Sequence, residues 1–367
     1  MRVLPLMFGT LLMTACSAPT DATGAAEQPA AAQADTPAEP VTIRTSTLLD
    51  TSGAAGPQMV RFRQTAPNGL TAEWLSYGAT LARLTLPDGT DVTVGLPSNA
   101  AYTGAHPYVG ATVGRVANRI GGGAFEIDGE RHAVKTNEGA NVLHGGPDGL
   151  DRQLWSGGFT PEGTLVMRHS SPDGHQGYPG RLDVEMEAVL GADRLRVTYR
   201  AQTTKPTPVN LTLHGYWDPS GAFDEAVDSL TLQSPATRYT VVGDDLIPTG
   251  ESADVAGTDY DFRDARAVGS AFIDVNALVP GEGLREMARL TDGTRTITVL
   301  SDYPGLQIYS GEALEGAGFA RRGALALEPQ YPPDAVNQPV DGEDTVLRPG
   351  GTYEHVIEFR FTGPDLP

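Results

Sequence analysis

The chain has 367 residues, of which 40% are hydrophobic, and its formal net charge at pH 7 is -20. A chain of this length can bury a large core, and it is long enough for two domains or for one large β-domain. The negative charge argues against nucleic acids and anionic membrane surfaces as partners, because their phosphates would repel the protein. The charge is typical of a soluble protein that meets neutral ligands, although solubility alone would also account for it.

Residues 1–15 are predicted to be a signal peptide. Arg2 is followed by an apolar run over 3–13 and by two small residues, and such a run is too short to cross a bilayer as a membrane helix. Met13-Thr14-Ala15-Cys16 resembles a bacterial lipobox, with Met where Leu is usual. Cys16 is the single cysteine, so no intramolecular disulfide can form.

We therefore expect Cys16 to carry a lipid anchor. Two or more acyl chains are enough for stable anchoring, since each buried CH₂ group contributes about 0.8 kcal/mol. Ser17, rather than Asp, follows the cysteine, which resembles the pattern sorted to the outer membrane and predicts an exported protein on the periplasmic side. The alternative is a simple secretory signal that is cleaved near Ala15.

The next segment, residues 16–40, is predicted to be a disordered tether. After Cys16 it consists mainly of Ala, Pro, Thr, Gln and Asp, with almost no large apolar side chain. Such a composition cannot bury enough surface to offset the entropy lost on ordering. We expect a single folded domain over 41–362 and a short tail over 363–367.

Within the predicted domain, hydrophobic and polar residues alternate with a period of two. Clear examples are 182–187, 195–200 and 353–361, where Leu, Val, Ile and aromatic residues alternate with charged or polar ones. The 44 glycines and 28 prolines punctuate short runs, and no long amphipathic helix pattern is present. The sequence therefore predicts an all-β fold, a large antiparallel β-sandwich.

Six segments of this domain, in the expected order, resemble motifs of the galactose mutarotase (aldose 1-epimerase) family. The resemblance implies the galactose mutarotase-like supersandwich, with a shallow sugar cleft on one sheet face. The segments are GRVANRI at 114–120, NVLHGG at 141–146, DGHQGYPG at 173–180, NLTLHGYWD at 210–218, PGLQIYSG at 304–311, and LEPQYPPD at 327–334, which Asn337 completes.

The activity that the resemblance implies needs one acid and one base. The C1 hydroxyl of a free aldose must lose its proton while the ring oxygen gains one; the ring then opens, turns about C1–C2 and closes on the other face. Each catalytic group can contribute roughly 10²–10⁴-fold, and no metal, nucleotide or covalent intermediate is required. The resemblance assigns the base to Glu328 and the acid to His214.

The residues around this pair fit such roles. Glu328 follows the apolar stretch 324–327, where partial burial would raise the pKa of its carboxyl towards useful basicity. Histidine is the side chain best suited to donate a proton near pH 7. Leu213 and Asp218, beside His214, replace residues that are Asn in the family motif.

The resemblance also implies a set of substrate-binding residues. A guanidinium offers several fixed donors to neighbouring hydroxyls, and glycine-flanked loops allow close approach of a ligand. Tyr216 or Trp217 could provide an apolar platform for the sugar, with core packing as the alternative. The implied binding residues are Asn118, Arg119, His144, Asp274 and Gln307.

No cofactor is expected, and the predicted partner is a free monosaccharide of the glucose or galactose type. Membrane contact is expected only through the N-terminal anchor. The spacing of His144, His214 and a carboxylate fits no familiar zinc pattern, so no metal site is predicted. The preferred aldose and the oligomeric state are left open by the sequence.

Three rival functions remain open from the sequence. A catalytically inactive carbohydrate-binding module would share the fold but lack Glu328 or His214, which are both present. A glycosidase could use Asp274 and Glu328 as its carboxyl pair, given a separation of about 5–5.5 Å or about 6.5–9.5 Å. A sugar-phosphate epimerase would need a basic cluster, and Arg321-Arg322 is the one adjacent basic pair.

Overall fold

The computed structural model describes residues 43–48, 58–340 and 342–367, and its regular structure is almost entirely β. Its strands are numbered β1 to β27 in chain order. The predicted signal peptide, tether, lipidated Cys16 and domain start at residue 41 lie outside the described residues, and they stay predictions.

The largest element is a nine-stranded antiparallel sheet, and its central strands show the alternation predicted from the sequence. In β12, Leu182, Val184 and Met186 are buried while the acidic residues between them are half-exposed. One face of this sheet therefore packs inwards and the other meets water. The strand order is β10 (Ser156–Phe159), β11 (Leu165–Ser171), β12 (Leu182–Leu190), β13 (Arg194–Thr203), β27 (Tyr353–Thr362), β23 (Thr296–Ser301), β22 (Arg285–Thr291), β17 (Thr231–Gln233) and β20 (Arg266–Ala267).

A six-stranded antiparallel sheet contributes to the same hydrophobic core. Leu327 and Ile308 belong to the cluster that also contains Val184 and Phe359 of the nine-stranded sheet, as expected when two sheets pack face to face. The strand order is β16 (Tyr216–Trp217), β25 (Leu325–Gln330), β24 (Gly305–Tyr309), β21 (Asp274–Leu278), β18 (Arg238–Val242) and β19 (Pro248–Asp254).

The two aromatic residues of β16 point to opposite faces of this sheet. Trp217 is fully buried, and its ring lies 4.2 Å from that of Phe359. The ring of Tyr216 lies instead 5.0 Å from that of His214. Of the two candidate sugar platforms, Trp217 is thus a core residue, and Tyr216 is on the side of the predicted site.

The remaining strands form smaller sheets. The pair β6–β9 places Arg119 opposite Leu143 and so brings two of the predicted motifs together. The smaller sheets are β1–β4 (Ile43–Leu48, Val60–Thr65, Thr71–Leu75, Thr80–Thr85), β5–β15 (Thr112–Val113, Thr212–Leu213), β6–β9 (Arg119–Ile120, Val142–Leu143), β7–β8 (Ala124–Ile127, Glu130–Ala133) and β14–β26 (Thr207–Pro208, Val346–Leu347).

Within residues 43–48, 58–340 and 342–367, helical structure is limited to short 3₁₀ segments. In the described part of the chain, no helix is long and apolar enough to span a membrane. The prediction of an all-β fold of antiparallel sheets is confirmed. The 3₁₀ segments are Asn99–Thr103, Gly121–Gly123, Leu150–Arg152, His175–Gly177, Val227–Ser229 and Glu312–Ala317.

Candidate active site

Polar side chains of neighbouring strands form one row across the face of the six-stranded sheet that is turned away from the core. Cross-strand pairing sets Gln307 opposite Glu328, and Asn276 opposite Gln307. At one end of the row, Nε2 of His214 lies 3.5 Å from Oε1 of Glu328. At the other end, the hydroxyl of Thr240 donates to Oδ1 of Asn276 at 3.1 Å. We call these five residues the polar row.

The pair formed by Glu328 and His214 is almost completely buried, with 2% and 4% exposure. Burial raises the pKa of Glu328 well above 4.5, and nearby Asp274 adds to the rise. Burial also lowers the pKa of His214 to about 3. Both shifts favour the uncharged forms, since a dry environment penalises charge, so the favoured state of the pair holds one titratable proton.

One polar atom of each partner in this pair is free to meet a ligand. Oε2 of Glu328 and Nδ1 of His214 are buried and have no hydrogen-bond partner among the described residues. Native structures rarely bury polar atoms without partners unless water, an ion or a ligand satisfies them. Oε2 of Glu328 and Nδ1 of His214 are therefore both available to a ligand at this end of the polar row.

His144 is held as a neutral hydrogen-bond donor. Its Nδ1 accepts from the backbone N–H of Asn118 at 3.1 Å, so the ring proton is on Nε2. Burial, followed by the nearby His214 and Arg119, lowers the pKa of His144 well below 6.5. Asn118, His144 and Tyr108 all have positive φ angles, of 58°, 51° and 55°, a conformation that is uncommon outside glycine and often found at functional sites.

Arg119 connects the His144 side of the site to the polar row. Its guanidinium makes two hydrogen bonds to Glu138, at 2.7 and 2.8 Å, and its Nη1 lies 4.0 Å from Oδ2 of Asp274. Nε2 of Gln307 donates to Oδ1 of Asp274 at 2.6 Å. Burial is the main cause that raises the pKa of Asp274. These four side chains form a continuous polar wall.

All seven predicted site residues line one cavity of about 280 Å³. The structure adds residues that no motif had indicated. Glu138 holds Arg119, Tyr108 stacks beside His214, and the 56%-exposed Phe272 lies near Tyr309 at the rim. Glu138 precedes the NVLHGG motif by three residues, which is the only sequence signal that could have suggested it. The cavity is lined by Pro107, Tyr108, Asn118, Arg119, Glu138, Leu143, His144, His214, Tyr216, Phe272, Asp274, Gln307, Tyr309, Ala313 and Glu328.

The end of the last motif supports the site rather than lining this cavity. Oδ1 of Asp334 accepts from the backbone N–H of Gly121 at 3.0 Å and from the amide of Asn337 at 2.7 Å. The backbone N–H of Asp334 donates to the carbonyl of Arg119 at 2.8 Å. These bonds hold the strand that carries Arg119.

His144, His214 and Glu328 also lie close enough to share a metal ion. One ligand atom from each falls within 4.8 Å of the others, and two imidazoles with one carboxylate are a common zinc ligand set. Sequence spacing had not suggested this cluster, because the three residues come from segments far apart in the chain. The same atoms can serve acid–base chemistry without a metal.

The chain is similar to known proteins over most of its length. The family model described as aldose 1-epimerase matches residues 61–360. The chain is 36% identical to galactose mutarotase from Bos taurus over 314 residues, 80% of this chain and 91% of that protein. It is 34% identical to aldose 1-epimerase from Escherichia coli K12 over 320 residues, which are 80% of this chain and 92% of that protein.

Solved structures also resemble this one over most of the chain. An aldose epimerase homologue from C. elegans has 26% sequence identity and a TM-score of 0.75, covering 82% of this chain and 97% of that one. Galactose 1-epimerase from Lactobacillus acidophilus NCFM has a similar fold, with a TM-score of 0.77 and 24% sequence identity. The match covers 87% of this chain and 99% of that one.

Proposed function

The chain belongs to the aldose 1-epimerase family and is an isomerase, and from that premise we propose that Glu328 and His214 are its base and acid. The substrate is a free aldose whose α and β anomers interconvert through the open-chain form. The observation that carries the proposal is the buried pair itself, with 3.5 Å between Nε2 of His214 and Oε1 of Glu328.

The proton balance of the reaction matches a pair that holds one proton. The ionised carboxylate of Glu328 takes the proton of the C1 hydroxyl, and protonated His214 gives its proton to the ring oxygen. The C1–O5 bond breaks as the C1=O1 double bond forms. After rotation about C1–C2, Glu328 returns its proton to O1 and His214 recovers one from O5, so the enzyme ends unchanged.

The proton of the pair must move from Glu328 to His214 before this step. In the empty site burial favours the uncharged forms. A sugar hydroxyl that donates to Oε2 of Glu328 stabilises the carboxylate, because hydrogen bonding to the charged form lowers a carboxyl pKa. Neutral His144 and charged Arg119 supply further donors to the sugar, and Asp274 and Gln307 supply acceptors.

Two features weigh against the rival functions. Arg322 is 8% exposed on its side chain and is already bonded to Asp228 and Glu312, so the charge of this member of the adjacent basic pair is not free for a phosphate. Both members of the acid–base pair are present and adjacent, unlike in an inactive binding module.

The test is polarimetry of freshly dissolved α-D-glucose and α-D-galactose. We expect the wild type to speed the approach to equilibrium, and Glu328→Gln and His214→Asn each to lower kcat by roughly 10²–10⁴-fold. Glu126→Gln, an exposed carboxyl on β7, is the matched control and should behave as wild type. Unchanged activity in Glu328→Gln would refute the assigned base. Release of the aglycone from a nitrophenyl glycoside would favour the glycosidase.

We also propose that the protein is exported and anchored through a lipid on Cys16. The support is the order of features at the start of the sequence, an apolar run followed by a lipobox-like segment and a lone cysteine.

A further inference from the structure

The two segments that carry the proposed acid and base run side by side in opposite directions. Residues 210–217 lie antiparallel to residues 325–331, and their best-ordered part is the pairing of β16 with β25. His214 and Glu328 face each other in the proposed catalytic cleft, the cavity that contains the acid–base pair. The distance between acid and base therefore depends on how the two segments are held relative to each other.

Asn210 joins the two segments at the end that lies outside the cleft. Its Oδ1 accepts from the backbone N–H of Tyr331 at 3.0 Å, and its Nδ2 donates to the carbonyl of the same residue at 3.2 Å. These side-chain bonds do here what ladder hydrogen bonds do in a regular strand pair. Neither Asn210 nor Tyr331 lines the cleft, so the two segments are tied together at a point that the sugar does not reach.

The side chain of Tyr331 is held from the nine-stranded sheet by His355 of β27. The hydroxyl of Tyr331 lies 3.0 Å from Nε2 of His355, and Nδ1 of His355 lies 3.2 Å from Oδ1 of Asp302. A carboxylate only accepts hydrogen bonds, so Nδ1 carries a proton, and Nε2 of a neutral ring then accepts from the hydroxyl of Tyr331. The backbone N–H of Val356 also donates to Oδ1 of Asp302, at 2.9 Å. We call Asp302, His355 and Tyr331 the support chain.

The same imidazole packs against two tyrosines that hold the segment of the proposed acid. The ring of His355 stacks on that of Tyr303 at 4.0 Å and meets that of Tyr353 edge to face at 4.9 Å. The hydroxyl of Tyr303 donates to the carbonyl of Leu211 at 2.6 Å, and the backbone N–H of Leu211 donates to the hydroxyl of Tyr353 at 2.8 Å. Leu211 precedes His214 by three residues. His355 therefore contacts the side chains that hold both segments.

The acid–base contact itself has little side-chain support. Nδ1 of His214 and Oε2 of Glu328 have no hydrogen-bond partner among the described residues, so the 3.5 Å contact depends on where the two backbones lie. Strand pairing fixes each backbone separately, with β15 on β5 and β25 on β24. A misplacement of about 1 Å can cost roughly 10²-fold in rate, and a smaller shift costs correspondingly less.

We propose that His355, acting through Tyr331, is a positioning residue that sets the distance between His214 and Glu328 from outside the cleft. The inference rests on the proposed function, and it adds a group that touches neither the sugar nor the reacting atoms. Because the support chain acts on the geometry of the acid–base pair, its loss should lower kcat and leave KM nearly unchanged.

The experiment cuts the support chain at two points and measures the anomerisation of α-D-glucose by polarimetry. Tyr331→Phe removes only the hydroxyl that meets His355, and His355→Phe removes both ring nitrogens while keeping an aromatic ring on Tyr303. We expect each variant to lower kcat about tenfold, less than the cost of a 1 Å misplacement. The double variant should lose no more than either single variant, because the chain is already cut.

Two substitutions of the same kind serve as controls. Tyr178→Phe removes a buried hydroxyl that has no hydrogen-bond partner among the described residues, and His132→Phe replaces a half-buried histidine on β8. Both controls should keep the kcat and KM of the wild type. All rates are measured at a temperature at which circular dichroism shows each variant to be folded, and Tyr331→Phe decides the result if His355→Phe does not fold.

The outcomes separate this proposal from the proposed function. A wild-type kcat in Tyr331→Phe and His355→Phe, with or without a lower thermal midpoint, would overturn the positioning role and leave the proposed function intact. A rise in KM without a fall in kcat would overturn it as well, and so would losses that add up in the double variant. A wild type that does not accelerate the anomerisation of glucose would overturn the proposed function, and the positioning role with it.

Discussion

Asn118 and His144 are joined by two hydrogen bonds that leave the side chain of His144 as a hydrogen-bond donor through Nε2. The backbone N–H of Asn118 donates to Nδ1 of His144 at 3.1 Å, and the backbone N–H of His144 donates to the carbonyl of Asn118 at 2.9 Å. The imidazole is thereby kept neutral, with its proton on Nε2. Because His214 lies beside it, a second charged imidazolium would be unfavourable in this cleft.

Replacement of His144 by Phe should therefore cost both binding and stability. The variant loses the Nε2–H donor and leaves the N–H of Asn118 without its acceptor, a buried polar group whose desolvation costs about 1–3 kcal/mol. We expect kcat/KM to fall roughly 10- to 100-fold and the thermal midpoint to drop. His132→Phe, a half-buried histidine on β8, is the control. A fall in stability alone, with kcat/KM unchanged, would mean that His144 does not contact substrate.

The pH dependence of kcat/KM should reflect a pair that holds one proton. The pKa of His214 is lowered to about 3, so the pair gains a second proton only near that pH. The pKa of Glu328 is raised well above 4.5, so the pair loses its single proton above the usual carboxyl range. The pair holds one titratable proton whether that proton is on Glu328 or on His214. Activity should therefore not change with pH between these two limits.

The measurement is polarimetry across pH, corrected for the uncatalysed reaction, which acid and base both accelerate. An acidic limb centred near 6.5, the ordinary pKa of histidine, would contradict the expectation. It would mean that His214 titrates as an exposed residue.

Glu138 should control how Arg119 meets the sugar. In the Glu138→Gln variant the guanidinium loses its charged partner and can turn towards Asp274, whose Oδ2 is 4.0 Å away. We expect KM to rise several-fold with a smaller change in kcat, since the acid–base pair is untouched. Glu130→Gln, an exposed carboxyl on β8, is the control. An unchanged KM would show that Arg119 is positioned without Glu138.

Removal of metal ions should leave the activity unchanged, whereas addition of Zn²⁺ should lower it. Because one base and one acid suffice for the reaction, activity after dialysis against EDTA should equal that of untreated protein. Zn²⁺ should inhibit reversibly, since ligand atoms of His144, His214 and Glu328 lie within 4.8 Å of one another and zinc favours such a set. Loss of activity with EDTA, restored by a metal, would contradict the metal-free mechanism.

The anchor can be tested in cells by fractionation. Cys16→Ala should release the protein from the membrane fraction, because the thiol that would carry the acyl chains is gone. Ser17→Ala keeps the cysteine and should stay with the membranes. Retention of the Cys16→Ala protein in the membrane fraction would refute lipidation at this residue.

Much of the proposed catalytic cleft could be predicted from the sequence because its residues lie in recognisable segments. Asn118, Arg119, His144 and His214 come from three of them, and all line the same cavity as Glu328. Glu138 and Phe272 could not be predicted in this way. Their positions depend on the conformations of two loops, and neither residue lies within a motif.

The alternation of residues determined the strands of this protein, and six ordered segments determined its family and predicted the acid–base pair that we propose. Only the tertiary structure decided which residues share a face across different strands. A one-residue shift in strand pairing would turn every side chain to the opposite face of the sheet. The inward position of Trp217 therefore depends on how the strands pair, and so does the alignment of Glu328, Gln307, Asn276 and Thr240. For Glu328 and His214, the sequence supplied the two groups, and strand packing set their 3.5 Å contact and their dry surroundings.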